Sequence, residues 1–368
     1  MLLTRIEADR LRNLKQVQLA LGEGLTVVLG ENAQGKTSLL EAVYLLATGR
    51  SFRTRKLDEI VAWDAALVRV AGEVRNRLGL HRLAVTVESG VRRLLGDGRE
   101  QELESFIGRL DVVDLTGDRM KVLRGSPEER RRFLDRGAVG LRPAYLRDLG
   151  RYRRTLAQRN ALLRSGGDGG RTAEIEAWDE HLESAASVLH VERRAYSEAL
   201  DARLREIGRE LFPGERVLTL RYRPSPAAAG EAAVGDYAEI YRERLATGRK
   251  RDLALGHTTS GPHRDDLVVE LDGVDLRRFG SAGQVRGGMI ALKLGKLSLL
   301  REDRGEAPLF LMDDFDTDLD EVRASALADF LRQGGFQALV ATSKETLVGR
   351  LGAVDRRLRM EDGAARAA

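Results

Sequence analysis

The sequence predicts an α/β protein: a mixed sheet with helices, interrupted by an inserted α-helical subdomain. Three observations carry this expectation. A buried strand, a glycine-rich loop and a helix follow one another across residues 24–47. No proline stands between Pro143 and Pro213. Apolar strand patterns return at 267–271, 309–312 and 338–341. The α/β pieces thus lie at both ends of the chain. The expected division is 1–112 with 250–368 for the discontinuous α/β domain, and 113–249 for the helical insertion and its connecting segments.

Composition bounds the function classes. The 368 residues suffice for one large or two moderate cores, and 32% charged residues beside 42% apolar ones describe a water-soluble globular chain. No apolar run approaches the roughly 18 residues of a membrane span. The opening MLLTRIEADRLRNLKQ carries charges where a secretory leader needs an apolar stretch, so a cytoplasmic location is expected. Cysteine is absent, which removes disulfides and thiolate metal sites. A net charge of +4 is compatible with a nucleic-acid partner without demanding one.

In order along the chain, two short strands precede a buried one at 24–29, and a helix follows from about 36 to 47 with Leu39, Leu40, Val43, Leu46 and Ala47 on its apolar face. Alternation at 68–74 and 81–88 reads as sheet, RRLLGDGRE as a hairpin, and 112–115 as another strand. Leu149, Leu156 and Leu163 recur every seven residues. Beyond SGGDGG, the residues Ile175, Trp178, Leu182, Ala185 and Leu189 keep a three-four spacing. That is an antiparallel helical hairpin with a coiled-coil-like seam. AAAGEAAVG after Pro226 reads as a linker, and the terminal GAARAA as a disordered tail.

Charge is unevenly placed. Residues 141–164 hold seven arginines and one acid, whereas 171–211 hold six arginines and ten acids. Two helices joined by salt bridges explain this as well as a DNA-binding face does.

Three motifs carry chemistry. Gly30-Glu31-Asn32-Ala33-Gln34-Gly35-Lys36-Thr37, followed by Ser38, is a phosphate loop directly after a strand and directly before a helix. Its backbone N–H groups and the helix N-terminus suit phosphate. Lys36 would reach the terminal phosphates of ATP, and the Thr37 hydroxyl would ligate Mg²⁺. An apolar strand ending in Asp313-Asp314 supplies the second half: Asp313 holds the metal, and Asp314 polarises the attacking water. Asp is one methylene shorter than Glu, so slow hydrolysis is expected. The third element is Ser281-Ala282-Gly283-Gln284 at the start of a helix. Alone it reads as a helix cap. Beside the other two it reads as a second phosphate-binding surface, which one nucleotide needs only if it comes from a facing chain.

These segments, together with VLRGSPEERRRFLD, HTTSGPHRDDL, SAGQVRGGMIALKLG and LFLMDDFDTDLD, resemble the RecF branch of the SMC/ABC-type ATPases from Met1 to about Met360. The resemblance implies an ABC-type head and a cytoplasmic protein of DNA replication, recombinational repair and the SOS response. It implies binding to gapped or junction-bearing DNA, an ATP-dependent homodimer, weak DNA-stimulated ATPase activity, and cooperation with RecO and RecR in loading RecA. It places the signature motif on Ser281, Gly283 and Gln284, and the D-loop on Thr317-Asp318-Leu319-Asp320.

The chain departs from the pattern of such heads in places. The D-loop has Thr317-Asp318 for Ser-Glu, and Ala341-Thr342-Ser343 stands where a switch histidine is usual. Asp118 is the nearest candidate for the Q-loop glutamine. Arg53 follows the phosphate-loop helix closely enough to bend back over nucleotide, or is a solvated loop arginine. His263 has acidic neighbours, yet adjacent side chains diverge on a strand, so a structural or DNA-linked role is expected in place of a metal site. A transporter subunit should carry the switch histidine and lack the helical hairpin. A small-molecule kinase leaves SAGQ unexplained. A chromosome-organising protein needs far longer coiled coil.

Overall fold

The computed structural model describes residues 1–116, 121–165, 172–212, 216–230, 236–314 and 321–367. They form two compact units: Met1–Arg119 with Ile207–Glu215 and Met289–Ala368, and Met120–Glu206 with Arg216–Gly288. The Asp118 and D-loop expectations, and most of the SGGDGG turn, lie outside the described residues.

The first unit is built on two sheets. Strands β1 (Leu2–Leu11), β2 (Leu14–Ala20), β4 (Leu67–Asn76), β5 (Gly79–Glu88), β6 (Val91–Gly96) and β7 (Arg99–Glu100) make an antiparallel sheet in the order β2-β1-β4-β5-β6-β7. The expected hairpin closes at Asp97-Gly98, both with positive φ, as a two-residue turn between antiparallel strands requires. The second sheet is mixed. Around β3 (Leu25–Leu29) it runs β15 (Ala364–Ala367), β14 (Arg356–Glu361), β3, β13 (Ala338–Thr342), β12 (Leu309–Met312), β8 (Val112–Leu115). All but β15 are parallel. β3 and β13 are buried throughout, as parallel strands covered on both faces must be.

Helix α1 (Lys36–Thr48) lies against strands of both sheets. The expected single apolar face understates it. Ala42 and Leu45 are as fully buried as Leu39 and Val43, so this helix is apolar on nearly every side. One polar residue stitches the sheets together. Buried Gln337 accepts a hydrogen bond from Leu3 N (2.8 Å) and donates to Leu3 O (2.9 Å) and Gly22 O (2.7 Å). Each bond satisfies a backbone group or amide that would otherwise be buried unpaired.

The tail departs from expectation. Residues 364–367 pair with β14 as a strand. The reason is Asp362-Gly363, with φ 47° and 76°, an Asp-Gly hairpin turn of the same kind as the one at residues 97–98.

The second unit packs α2 (Pro127–Leu141), α3 (Tyr145–Arg164), α4 (Thr172–Leu211, to Glu206) and α5 (Tyr237–Leu255), with a small antiparallel sheet of β9 (Leu218–Arg223), β10 (Asp266–Leu271) and β11 (Val274–Asp275). The seam residues Leu149, Leu182, Ala185 and Leu189 share one cluster with Tyr237, Tyr241 and Leu245, so α5 joins the expected helix pair. Arg159, fully buried, ties the three helices together through Asp179 (2.5 Å) and Asp252 (2.8 Å). Charge complementarity between the basic and acidic segments is thus partly structural. Arg147, Arg151 and Arg154 remain exposed at helical spacing on one face of α3.

The GPHRDD segment is a framework. Arg193 binds Asp135 (2.7 Å) and Asp265 (2.7 Å), and Arg130 holds Asp266. His263 places Nδ1 2.7 Å from the Tyr152 hydroxyl and Nε2 3.0 Å from Thr258 O. Burial pushes its pKa down to about 4, so the ring is neutral near pH 7. Among the described residues no cluster of metal-binding side chains occurs and no helix is long and apolar enough to cross a membrane.

Candidate nucleotide site

The site is assembled at the carboxyl ends of three neighbouring parallel strands. Leu29 pairs with Thr342, and Val340 pairs with Met312. The phosphate loop leaving β3, the Thr342-Ser343 exit of β13 and the Asp313-Asp314 exit of β12 are therefore side by side, where open α/β sheets bind ligands.

Within the loop, a Cβ on Gly30 would come 2.6 Å from Met360 O, and Gly35 turns into α1 at φ 106°. Ala33 holds φ 66°, uncommon outside glycine. The N-terminus of α1 has no side-chain cap and no acid in its first turn. Its leading N–H groups lack intrahelical acceptors and suit an anion. Lys36 is buried and donates from Nζ to Gly30 O (2.7 Å) and Glu31 O (2.8 Å). An ammonium has three protons, so one remains for a phosphate oxygen.

Thr37 Oγ1 donates to Asp313 Oδ2 at 2.8 Å. Asp313 is itself buried, and its N–H donates to Leu115 O (3.2 Å). Asp314 is exposed with φ 43°, its N–H bonded to Asp313 Oδ1 (3.1 Å). A hydroxyl and a carboxylate in contact are a hard-oxygen pair of the kind Mg²⁺ takes, with water and phosphate completing its shell.

Sequence reading missed what stands behind the loop. Asn13 donates to Ala33 O (2.8 Å) and accepts from the Ser38 hydroxyl (2.7 Å). Gln34 Oε1 accepts from Asp362 N (2.5 Å), and Gly363 N donates to Gln34 O (3.3 Å). The side chains of Ser38 and Gln34 therefore brace the loop, and what they offer an anion is backbone. The Asp-Gly pair at residues 362–363 was the available signal.

Arg53 is not simply solvated: its Nη1 stands 3.5 Å from buried Glu41 of α1. Arg12, not singled out in the sequence, binds the same carboxylate through Nε (3.1 Å) and Nη2 (3.0 Å).

In the second unit, Ser281 and Gln284 form a reciprocal capping box at the start of α6 (Ala282–Arg304, to Gly288 in this unit). Ser281 N donates to Gln284 Oε1 (2.8 Å), and Gln284 N donates to Ser281 Oγ (3.2 Å). The cap uses a lone pair of the Ser281 hydroxyl and leaves its proton for another acceptor. Gly283 lies in the first turn. Arg124 holds the preceding backbone through Gly280 O at 2.8 Å.

Known proteins resemble this arrangement. A family model described as an AAA domain matches residues 5–110. A protein of Myxococcus xanthus named DNA replication and repair protein RecF is 37% identical over 361 residues, 95% of this chain and 92% of that protein. The chain belongs to the RecF family. A solved structure of the recombination mediator protein RecF with ATP, in the RecFOR pathway, superposes with a TM-score of 0.90 at 28% identity, covering 100% of this chain and 97% of that one. An Smc head bound to the C-winged helix domain of ScpA gives 0.59 at 16% identity, covering 100% and 97%, and extends the shared head fold beyond the RecF family.

Proposed function

We propose that this RecF-family chain is an ATP-dependent DNA-binding protein of recombinational repair, with the RecFOR pathway as its setting. The observation that carries the nucleotide reading is the 2.8 Å contact of Thr37 with Asp313, which joins the phosphate loop to the acidic strand. ATP binding is supported by the ATP-bound RecF neighbour.

Lys36 neutralises the terminal phosphates, while Thr37 and Asp313 would hold Mg²⁺. When bound, Mg²⁺ supplies neutralisation of the charge that develops on the phosphate oxygens. Asp314 orients the attacking water and accepts its proton, from a carboxylate shorter than the usual glutamate, so turnover is slow. Ser281, Gly283 and Gln284 read the phosphates of a partner chain's nucleotide, which makes ATP the glue of a homodimer. The dimer binds gapped or junction DNA and works with RecO and RecR toward RecA loading. DNA stimulates its weak ATPase.

The test is DNA affinity with ATP, with ADP and without nucleotide. Tightest binding is expected with ATP. It should fall steeply as salt rises, because phosphate contacts release counterions. Reversing the charges of Arg147, Arg151 and Arg154 together should weaken it at least tenfold, about 1.4 kcal/mol. Equal affinity in all three nucleotide states would remove the ATP switch from this reading.

A further inference from the structure

Glu41 sits one turn beyond the phosphate loop, between Leu40 and Ala42 in the buried middle of α1, and its side chain is wholly buried. A carboxylate there is costly unless well paired. Its partners are Arg12, which forks onto both oxygens at 3.0 and 3.1 Å, the Ser51 hydroxyl, and Arg53 at 3.5 Å.

Those partners come from two separate segments. Arg12 occupies the turn between β1 and β2 with φ 54°, beside Asn13, whose amide holds Ala33 O of the phosphate loop. Arg53 belongs to the segment after α1. There the Ser51 hydroxyl also accepts from Arg53 N (2.9 Å) and Thr54 N (3.1 Å). One buried anion on the phosphate-loop helix thus gathers two guanidinium groups whose side chains keep 21% and 44% of their exposure. Apolar packing would bury this helix position more cheaply. A carboxylate there instead fixes the two guanidinium groups in place.

We propose that Glu41 is a positioning residue of the nucleotide site, holding Arg12 and Arg53 where their outward N–H groups meet the polyphosphate of bound ATP. The inference rests on the ATP-binding reading above. Arg12 Nη1 also donates to Glu59 O. A guanidinium has five N–H donors, so those spent on Glu41 and on Glu59 O leave others for phosphate oxygens. Contacts of this kind, made equally to bound ATP and to the transition state, lower KM more than they raise kcat.

The experiment measures binding of fluorescent ATP, melting temperature and steady-state hydrolysis for Glu41→Gln, alone and in an Arg12→Ala/Arg53→Ala background. Glu41→Gln keeps the shape and loses the charge. About tenfold weaker ATP binding is expected in the parent chain, expressed as a raised KM, and under about twofold in the background lacking both arginines. Equal losses in the two backgrounds would show that Glu41 merely supports the fold and would overturn the proposal. So would unchanged affinity in the parent. If Glu41→Gln does not fold, Ser51→Ala makes the test at the loop, with about threefold weaker binding that vanishes beside Arg53→Ala. The same loss beside Arg53→Ala overturns the proposal there. Failure of the parent chain to bind ATP would overturn the nucleotide reading itself, a distinct outcome.

Discussion

Lys36 and Asp314 differ in what surrounds them, and that difference sets what each substitution should do. Lys36 is buried with two of its protons on loop carbonyls, so it orders the loop, and under the proposed function its third proton meets phosphate. Lys36→Met removes the cation and leaves Gly30 O and Glu31 O short of a donor. ATP affinity should fall at least tenfold and hydrolysis should vanish, as equilibrium binding and phosphate release will measure. Asp314 is exposed and outside the contact of Thr37 with Asp313. Asp314→Asn should leave affinity within about twofold of the parent while stopping turnover, because the amide cannot accept a proton. Wild-type turnover in Asp314→Asn would assign the water to another residue. The phosphate loop and the acid pair were legible in the sequence because each is a contiguous string with a fixed strand or helix beside it. Arg12, Asn13 and Glu41 were not, since their meaning comes from contacts between segments and none belongs to a motif.

At the scale of elements, the closing hairpin β14-β15 is part of the phosphate loop's support. Its turn glycine, Gly363, has φ 76°, and a Cβ there would fall 2.0 Å from Asn13 O. Gly363→Ala should therefore push the turn off Asn13 and loosen the loop that Asn13 and Gln34 hold. Gly98 is the matching control: φ is 79° in an equivalent turn, and nothing lies within 4 Å of its added Cβ. Both substitutions carry the backbone strain of an alanine in the left-handed region, about 1 kcal/mol. Only Gly363→Ala should also weaken ATP binding, by about threefold to tenfold, or roughly 0.7–1.4 kcal/mol. Equal ATP affinity in the two variants would detach the hairpin from the site. The same hairpin shows why its strand escaped sequence reading. Its second arm is nearly all alanine and arginine, without the β-branched alternation that marks strands, and only Asp362-Gly363 betrayed it. Helix α1 was legible in extent but not in burial. Its amphipathic-looking spacing hid that Ala42, Tyr44 and Leu45 are covered too, which depends on two sheets that no local pattern reveals.

For the whole molecule, the motifs fall into two compact units, with the phosphate loop and acid pair in one and Ser281-Gln284 in the other. The sequence reading expects an interrupted α/β domain and a helical insertion, because strand patterns at both ends of the sequence bracket a proline-free helical stretch. The contact-defined units divide elsewhere than at 112/113 and 249/250: β8 stays with the first, and residues 250–288 join the second. Composition changes little across those joins, so no local signal marks them. If Ser281 serves the nucleotide of a second chain, complementation between two dead variants reveals it. Lys36→Met and Ser281→Arg are each expected to be inactive alone. In a mixed dimer one site carries both lesions, and the other is intact. Random exchange makes about half the dimers mixed with one live site of two, so up to roughly a quarter of parent ATPase should return. Coupling between the sites lowers that figure, so the comparison must be internal. The control carries both substitutions in one chain and is mixed with the parent. Its mixed dimers hold one lesion per site and hydrolyse nothing, leaving only the parent homodimers, again about a quarter of the activity. Subtracting the activity of homodimers in each mixture, with exchange confirmed by differently labelled chains, isolates the mixed species. Activity in the mixed dimers of the first mixture and none in those of the second means that each site is shared. The reverse means that each chain completes its own: the first mixture would then stay dead, and the second would regain its parent chains' activity in every mixed dimer.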